Sequence, residues 1–144
     1  MSVRTLPGRR VADRGSAAVE IVLVTPLLML VLLTVVALGR LADARLVAAD
    51  AAHQAARAAS LARTEAEART AARRTTDAAL HNAGVACTRP KVALTTNGLR
   101  PGGVVTAKVT CSVELRDLTH VGMPGRITLH GTAFSPVDVH RSAP

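Results

Sequence analysis

The chain has 144 residues, of which 49% are hydrophobic but only 1% aromatic, a lone Phe134 with no Trp or Tyr. An apolar fraction made of Ala, Val and Leu argues against a small-molecule pocket, whose walls are usually aromatic, and the length leaves room for one domain. The formal charge of +8 would suit a polyanion, but Arg4, Arg9, Arg10 and Arg14 precede an apolar run and most other arginines are interleaved with Asp and Glu. With no stacking platform, zinc spacing or helix-turn-helix pattern beside them, nucleic acid is not the expected partner.

In chain order, residues 1–15 form a basic leader in which Asp13 is the only acid, and nothing in it can bury an apolar face. From Ala17 to Leu38 the chain is apolar apart from Glu20, Thr25 and Thr34. About 20 helical residues rising 1.5 Å each cross a hydrocarbon core of ~30 Å, so residues 16–39 read as a single membrane span in contact with lipid. Pro26 removes one helical hydrogen bond, which a membrane span tolerates. The arginines of the leader lie on one flank, whereas Arg40 and Arg45 on the other are matched by Asp43 and Asp50. The positive-inside rule then places the N-terminus in the cytoplasm and the C-terminus outside the membrane.

Residues 40–84 are Ala-rich, with no Pro or Gly before Gly84, and propensity favours one helix continuing from Arg40 to Ala83. A stripe of Leu38, Ala42, Leu46, Ala49, Ala52, Ala56 and Ala59 at spacings of three and four is the expected packing face. Asn82 and Gly84 supply the stop. The period then falls to two: Val105, Ala107, Val109, Cys111, Val113 and Leu115 alternate with polar residues, as do Ile127, Leu129, Gly131 and Ala133, while Val92 and Leu94 begin a shorter run. Asn97-Gly98 and Pro101-Gly102-Gly103 separate these runs. The expected fold is α+β: a long N-terminal transmembrane and amphipathic helix, then a small antiparallel sheet of about three strands over residues 85–135, and a frayed tail over 136–144.

The segment Arg14-Gly15-Ser16-Ala17-Ala18-Val19-Glu20 ends a basic leader in Gly and places a Glu five residues later inside an apolar helix. It resembles the class III signal of type IV pilin-like proteins. The resemblance implies cleavage between Gly15 and Ser16 by a membrane prepilin peptidase, with Glu20 at position five of the mature chain as a subunit-packing residue. The new N-terminus would be Ser16 where the family commonly has Phe or Met, and Ile21 stands where the tight-adherence pilins often carry an aromatic. The wider run from Arg14 to Arg45 looks like the TadE/TadG-like pilus-assembly pseudopilins. That likeness implies a pilin-like fold, other pilin-like subunits as partners, and a minor-subunit role in a tight-adherence, Flp-type pilus or related secretion assembly.

Two alternatives stand beside this reading. Glu20 at the end of a span can simply reach lipid headgroups, where its cost falls well below the ~2.5–3.5 kcal/mol of a charge at the bilayer centre. The whole N-terminus can instead be a secretory signal cut near Ala37-Leu38-Gly39 or Asp43-Ala44, giving a secreted or signal-anchored binding module with no pilus role.

Cys87 and Cys111 lie too far apart in sequence for a CxxC redox or metal motif. They read as one structural disulfide in an oxidising compartment or, alternatively, as two unlinked buried thiols. His53, His81, His120, His130 and His140 form no metal-ligand spacing, no phosphate loop or Gly-x-Ser-x-Gly elbow occurs, and Ser60 has no plausible base nearby. The expectation is a non-enzyme without cofactor, metal or small-molecule substrate.

Overall fold

The computed structural model describes residues 14–85, 87–119, 122 and 124–140. Residues 1–13 of the leader, His120 and the last four residues of the expected tail lie outside them, while Arg14 and Gly15 of the leader open α1. In chain order the elements are α1 (Arg14–Leu61), α2 (Glu65–Asn82), β1 (Thr88–Thr95), β2 (Val104–Glu114), α3 (Leu115–Thr119) and β3 (Arg126–Pro136). The chain divides into two units, residues 1–36 and 37–144. The expected α+β class, a long apolar helix followed by three antiparallel strands in the order β1-β2-β3, is what the chain forms.

In the first unit α1 stays helical through Pro26. Pro26 has no N–H to offer the carbonyl four residues back. The adjacent Thr25 hydroxyl donates to the carbonyl of Ile21 (2.6 Å) and that of Thr34 to the carbonyl of Leu30 (2.8 Å).

In the second unit the single helix expected from Arg40 to Ala83 is interrupted. α1 ends at Leu61, and Thr64, in extended conformation (φ −125°, ψ 155°), caps α2. The Thr64 hydroxyl accepts from the N–H of Glu67 (3.2 Å), and the Glu67 carboxylate accepts from the N–H groups of Arg63 and Thr64 (3.1 and 3.3 Å). This reciprocal capping box satisfies donors that an unbroken helix would have used internally, so local hydrogen bonding overrides Ala propensity. Its signature, Thr-x-x-Glu, is present in the sequence. Thr64→Ala should lower stability by about 1 kcal/mol, read as a fall in the urea midpoint without a change in slope.

The stop expected at Asn82 and Gly84 is present. Gly84 has φ +66° and its N–H donates to His81 O (3.1 Å), while that of Val85 donates to Leu80 O (3.2 Å). Both bonds belong to a Schellman closure, which needs a residue at ease in the left-handed region.

The sheet buries Val105, Ala107, Val109, Cys111 and Val113 of β2 and Leu129, Gly131 and Ala133 of β3, while Thr106 and Thr110 are half-buried and Lys108, His130 and Thr132 are exposed. The period-two reading of this face therefore holds. Leu115 departs from it by starting α3, and β1 begins earlier than Val92, at Thr88, with a register shift between Thr88 and Lys91 where Arg89 takes φ +54°.

The helical packing face differs from the expected stripe. Ala44, Ala48, Ala51, Ala52, Ala55, Ala56 and Ala59 are buried, while Leu38, Ala42 and Leu46 are exposed, Leu46 by 69%. A face made of methyl groups lets the sheet backbone approach closely, and the larger Leu side chains fall on the outside. Two buried clusters result. One joins Ala52, Ala56 and Ala59 to Ala68 and Ala72 of α2 and to Val105, Val109 and Ala133; the other joins Ala44 and Ala48 to Cys111, Val113 and Leu129.

At the start of the expected tail, Pro136 belongs to β3 and the chain stays packed for one residue more. Val137 is buried, its N–H donates to Gly103 O (2.8 Å) and its carbonyl accepts from Gly102 N–H (3.1 Å). The receiving turn carries Pro101 and Gly102 (φ +76°) at its centre and closes by a bond from Gly103 N–H to Arg100 O (2.8 Å), as a type II turn requires.

Candidate functional site

Every residue from Val19 to Val36 is exposed, including Ile21, Val22, Leu23, Leu27, Leu28 and Leu30 at 61–70%. Each Leu, Val or Ile so placed forgoes a large part of the about 1.5–3 kcal/mol that full burial contributes, and a continuous apolar surface of this kind marks a contact with lipid or protein. By length and composition the helix is apolar enough to cross a membrane. The two hydroxyls in the stretch are bonded to carbonyls of their own helix, the arrangement a lipid-facing hydroxyl needs because hydrocarbon offers no partner.

Glu20 is exposed and is the one acid in this stretch. Gly15 and Ser16 belong to the first turn of α1, so Glu20 follows Ser16 by about 6 Å of helix rise.

The structure joins the two cysteines: Cys87 and Cys111 form a disulfide with Cα atoms 5.5 Å apart, across a sequence separation of 24. Cys111 is buried on the inner face of β2, and Cys87 precedes β1, so the bridge ties the chain leaving α2 to the central strand. Of the two readings of these residues, the linked one holds.

Ser60 is nearly buried at the C-terminal end of α1, where its hydroxyl donates to Arg57 O (2.9 Å) and lies 3.0 Å from the Ser135 hydroxyl of β3. That is a packing contact between elements. Among the described residues, no group of three or more His, Cys, Asp and Glu could hold a metal ion. A surface depression of about 610 Å³ is lined by Arg73, Asp77, Lys91, Val92, Lys108 and Thr110. Its walls are solvated side chains of α2, β1 and β2, with no nucleophile–base pair among them.

Residues 15–57 match the family described as TadE-like protein. The match starts at Gly15, takes in Glu20 and the exposed apolar stretch, and extends into the Ala face that packs on the sheet. It is the family that the run from Arg14 to Arg45 resembles. No curated protein and no solved structure matches the chain.

Proposed function

We propose that this chain, which carries a TadE-like segment at residues 15–57, is a membrane-anchored minor pilin or pseudopilin-like subunit of a tight-adherence, Flp-type pilus or related secretion assembly. The carrying observation is the coincidence of that match with a helix whose side chains from Val19 to Val36 are all exposed and apolar but for Glu20, Thr25 and Thr34. In this reading the role is mechanical and not enzymatic. The N-terminal part of α1 sits in the bilayer with the leader in the cytoplasm, and the sheet lies outside, where an oxidising compartment keeps Cys87 and Cys111 paired. A prepilin peptidase removes the leader between Gly15 and Ser16, and lipid and other pilin-like subunits cover the exposed helix.

Cleavage at that bond creates an α-amino group on Ser16 near the Glu20 carboxylate. Pairing the two, within one chain or between neighbouring subunits, offsets the desolvation of both, whereas removing one leaves an uncompensated charge at the membrane. Glu20→Ala should therefore insert as well as the wild type, since the span becomes more apolar, yet recover fewer pilin-like partners on crosslinking and co-purification from membranes. Equal recovery by a processed Glu20→Ala chain would reduce the carboxylate to a headgroup contact.

A further inference from the structure

The sheet has two edges, and they are built differently. β1 departs from regular pairing between Thr88 and Lys91, carries Arg89 at φ +54°, follows it with Pro90, which has no N–H, and then with Lys91. α2 flanks it, with Arg73 and Asp77 lining one depression together with Pro90 and Lys91. A bulge, a proline and cationic side chains are the devices that keep an edge strand from pairing with another chain.

β3 has none of them between its terminal residues, Arg126 and Pro136. Its eleven residues pair with β2 one for one, from Val104 opposite Pro136 to Glu114 opposite Arg126, without a register shift. Between those terminal residues there is no Pro, Lys, Arg, Asp or Glu. Val137 turns its N–H and carbonyl toward Gly103 and Gly102 on the β2 side. In an antiparallel ladder this direction alternates residue by residue, so Thr128, His130, Thr132 and Phe134 turn their backbone groups toward the free edge. All four are exposed, Phe134 by 66%, and β3 pairs with no second strand among the described residues.

We propose that the free edge of β3 pairs with β3 of a second copy of this chain, antiparallel about a two-fold axis at Gly131, joining two three-stranded sheets into one of six. The strand is self-complementary in that register. Thr128 falls opposite Phe134 and His130 opposite Thr132, and these are the residues whose backbone groups face the partner. Gly131 meets Gly131, and Leu129 falls opposite Ala133. The aromatic and β-branched pairs are of the kind that stabilises sheets.

Charge favours this edge for self-association. Each chain carries +8, yet the one formal charge in β3, Arg126, falls opposite Pro136, so no like charges face each other across the seam. Self-pairing of β1 would bring Arg89 and Lys91 of two copies together. The contact is isologous and closes after two copies. It does not rest on the pilus reading.

The test uses the full chain purified in detergent, with sedimentation velocity over a concentration series. Thr132→Pro removes an N–H that faces the free edge and leaves the ladder to β2 intact. Thr132→Lys puts a cation at the seam on an exposed position. Resistance of Cys87 and Cys111 to alkylation reports the fold of each variant. The wild type should dimerise, and both substitutions should raise the dimer dissociation constant about tenfold or more with the disulfide still formed. A wild type that stays monomeric throughout overturns the proposal. So does dimerisation of folded Thr132→Lys as tight as that of the wild type, which would assign self-association to the apolar part of α1.

Discussion

Gly131→Ala is expected to destabilise the helix–sheet unit by about 3 kcal/mol or more, a large share of the 5–15 kcal/mol that holds a typical domain together. A Cβ at this position would overlap the carbonyl of Ala48 and come within 2.8 Å of the N of Ala49. Those are helix backbone atoms, so no rotamer change relieves the overlap and either α1 or β3 has to move. The approach is this close because the facing helix surface is alanine: Ala44, Ala48, Ala51 and Ala52 are all buried. Urea unfolding followed by circular dichroism measures the effect. Gly39→Ala is the control, because a Cβ there has nothing within 4 Å, and a helical Gly→Ala change should be neutral or stabilising. If Gly131→Ala unfolds within about 0.5 kcal/mol of the wild type, β3 does not lie directly against the α1 backbone at Ala48.

Loss of the Cys87–Cys111 bridge should cost about 3 kcal/mol, the chain-entropy value for a loop of this length, the two residues being 24 apart in sequence. The bridge holds the segment that leaves α2 against β2, and Cys111 lies fully buried in the cluster with Ala48, Val113 and Leu129. Replacing both cysteines by alanine leaves no unpaired thiol and isolates the crosslink from the chemistry of sulfur. The double variant should unfold at markedly lower urea, with the loss concentrated in the sheet. Alkylation of unreduced protein taken from the cell envelope checks the bond itself. Two readily labelled thiols in that material would contradict both the bond and the oxidising location that supports the proposed topology.

The elements written most plainly in the sequence are those whose period is set by burial on one face. β2 and β3 were legible because alternate residues meet a helix, and the end of α2 because Gly84 has no rival for a left-handed position. The apolar stretch through Leu38 was legible because its composition alone separates it from the remainder. The break at Ala62–Thr64 was harder to read, since four hydrogen-bonding groups at Thr64 and Glu67 outweigh a long run of helix-favouring alanines. The phase of the packing face escaped for a related reason. A helix as rich in alanine as residues 48–59 offers several stripes of similar hydrophobicity, and the one that packs is chosen by how closely Gly131 allows the strand to come. The reach of β3 to Pro136, and of the core to Val137, depends on the turn at Arg100–Gly103, a long-range pairing that local periodicity does not encode. Of the candidate site residues, Cys87 and Cys111 were marked by residue type and confirmed by their pairing. Gly15, Ser16 and Glu20 lie in the first turns of α1, and the roles proposed for them depend on a cleavage and on partners that the fold of a single chain does not encode.

Intact mass and N-terminal sequencing of the chain extracted from membranes, in a cell that contains a prepilin peptidase, test the central claim most directly. The proposed role requires a mature chain that begins at Ser16, carries the Cys87–Cys111 disulfide and stays with the membrane through alkaline extraction. A soluble chain beginning between Leu38 and Arg45, or a membrane-bound one that still begins at Met1, would contradict it.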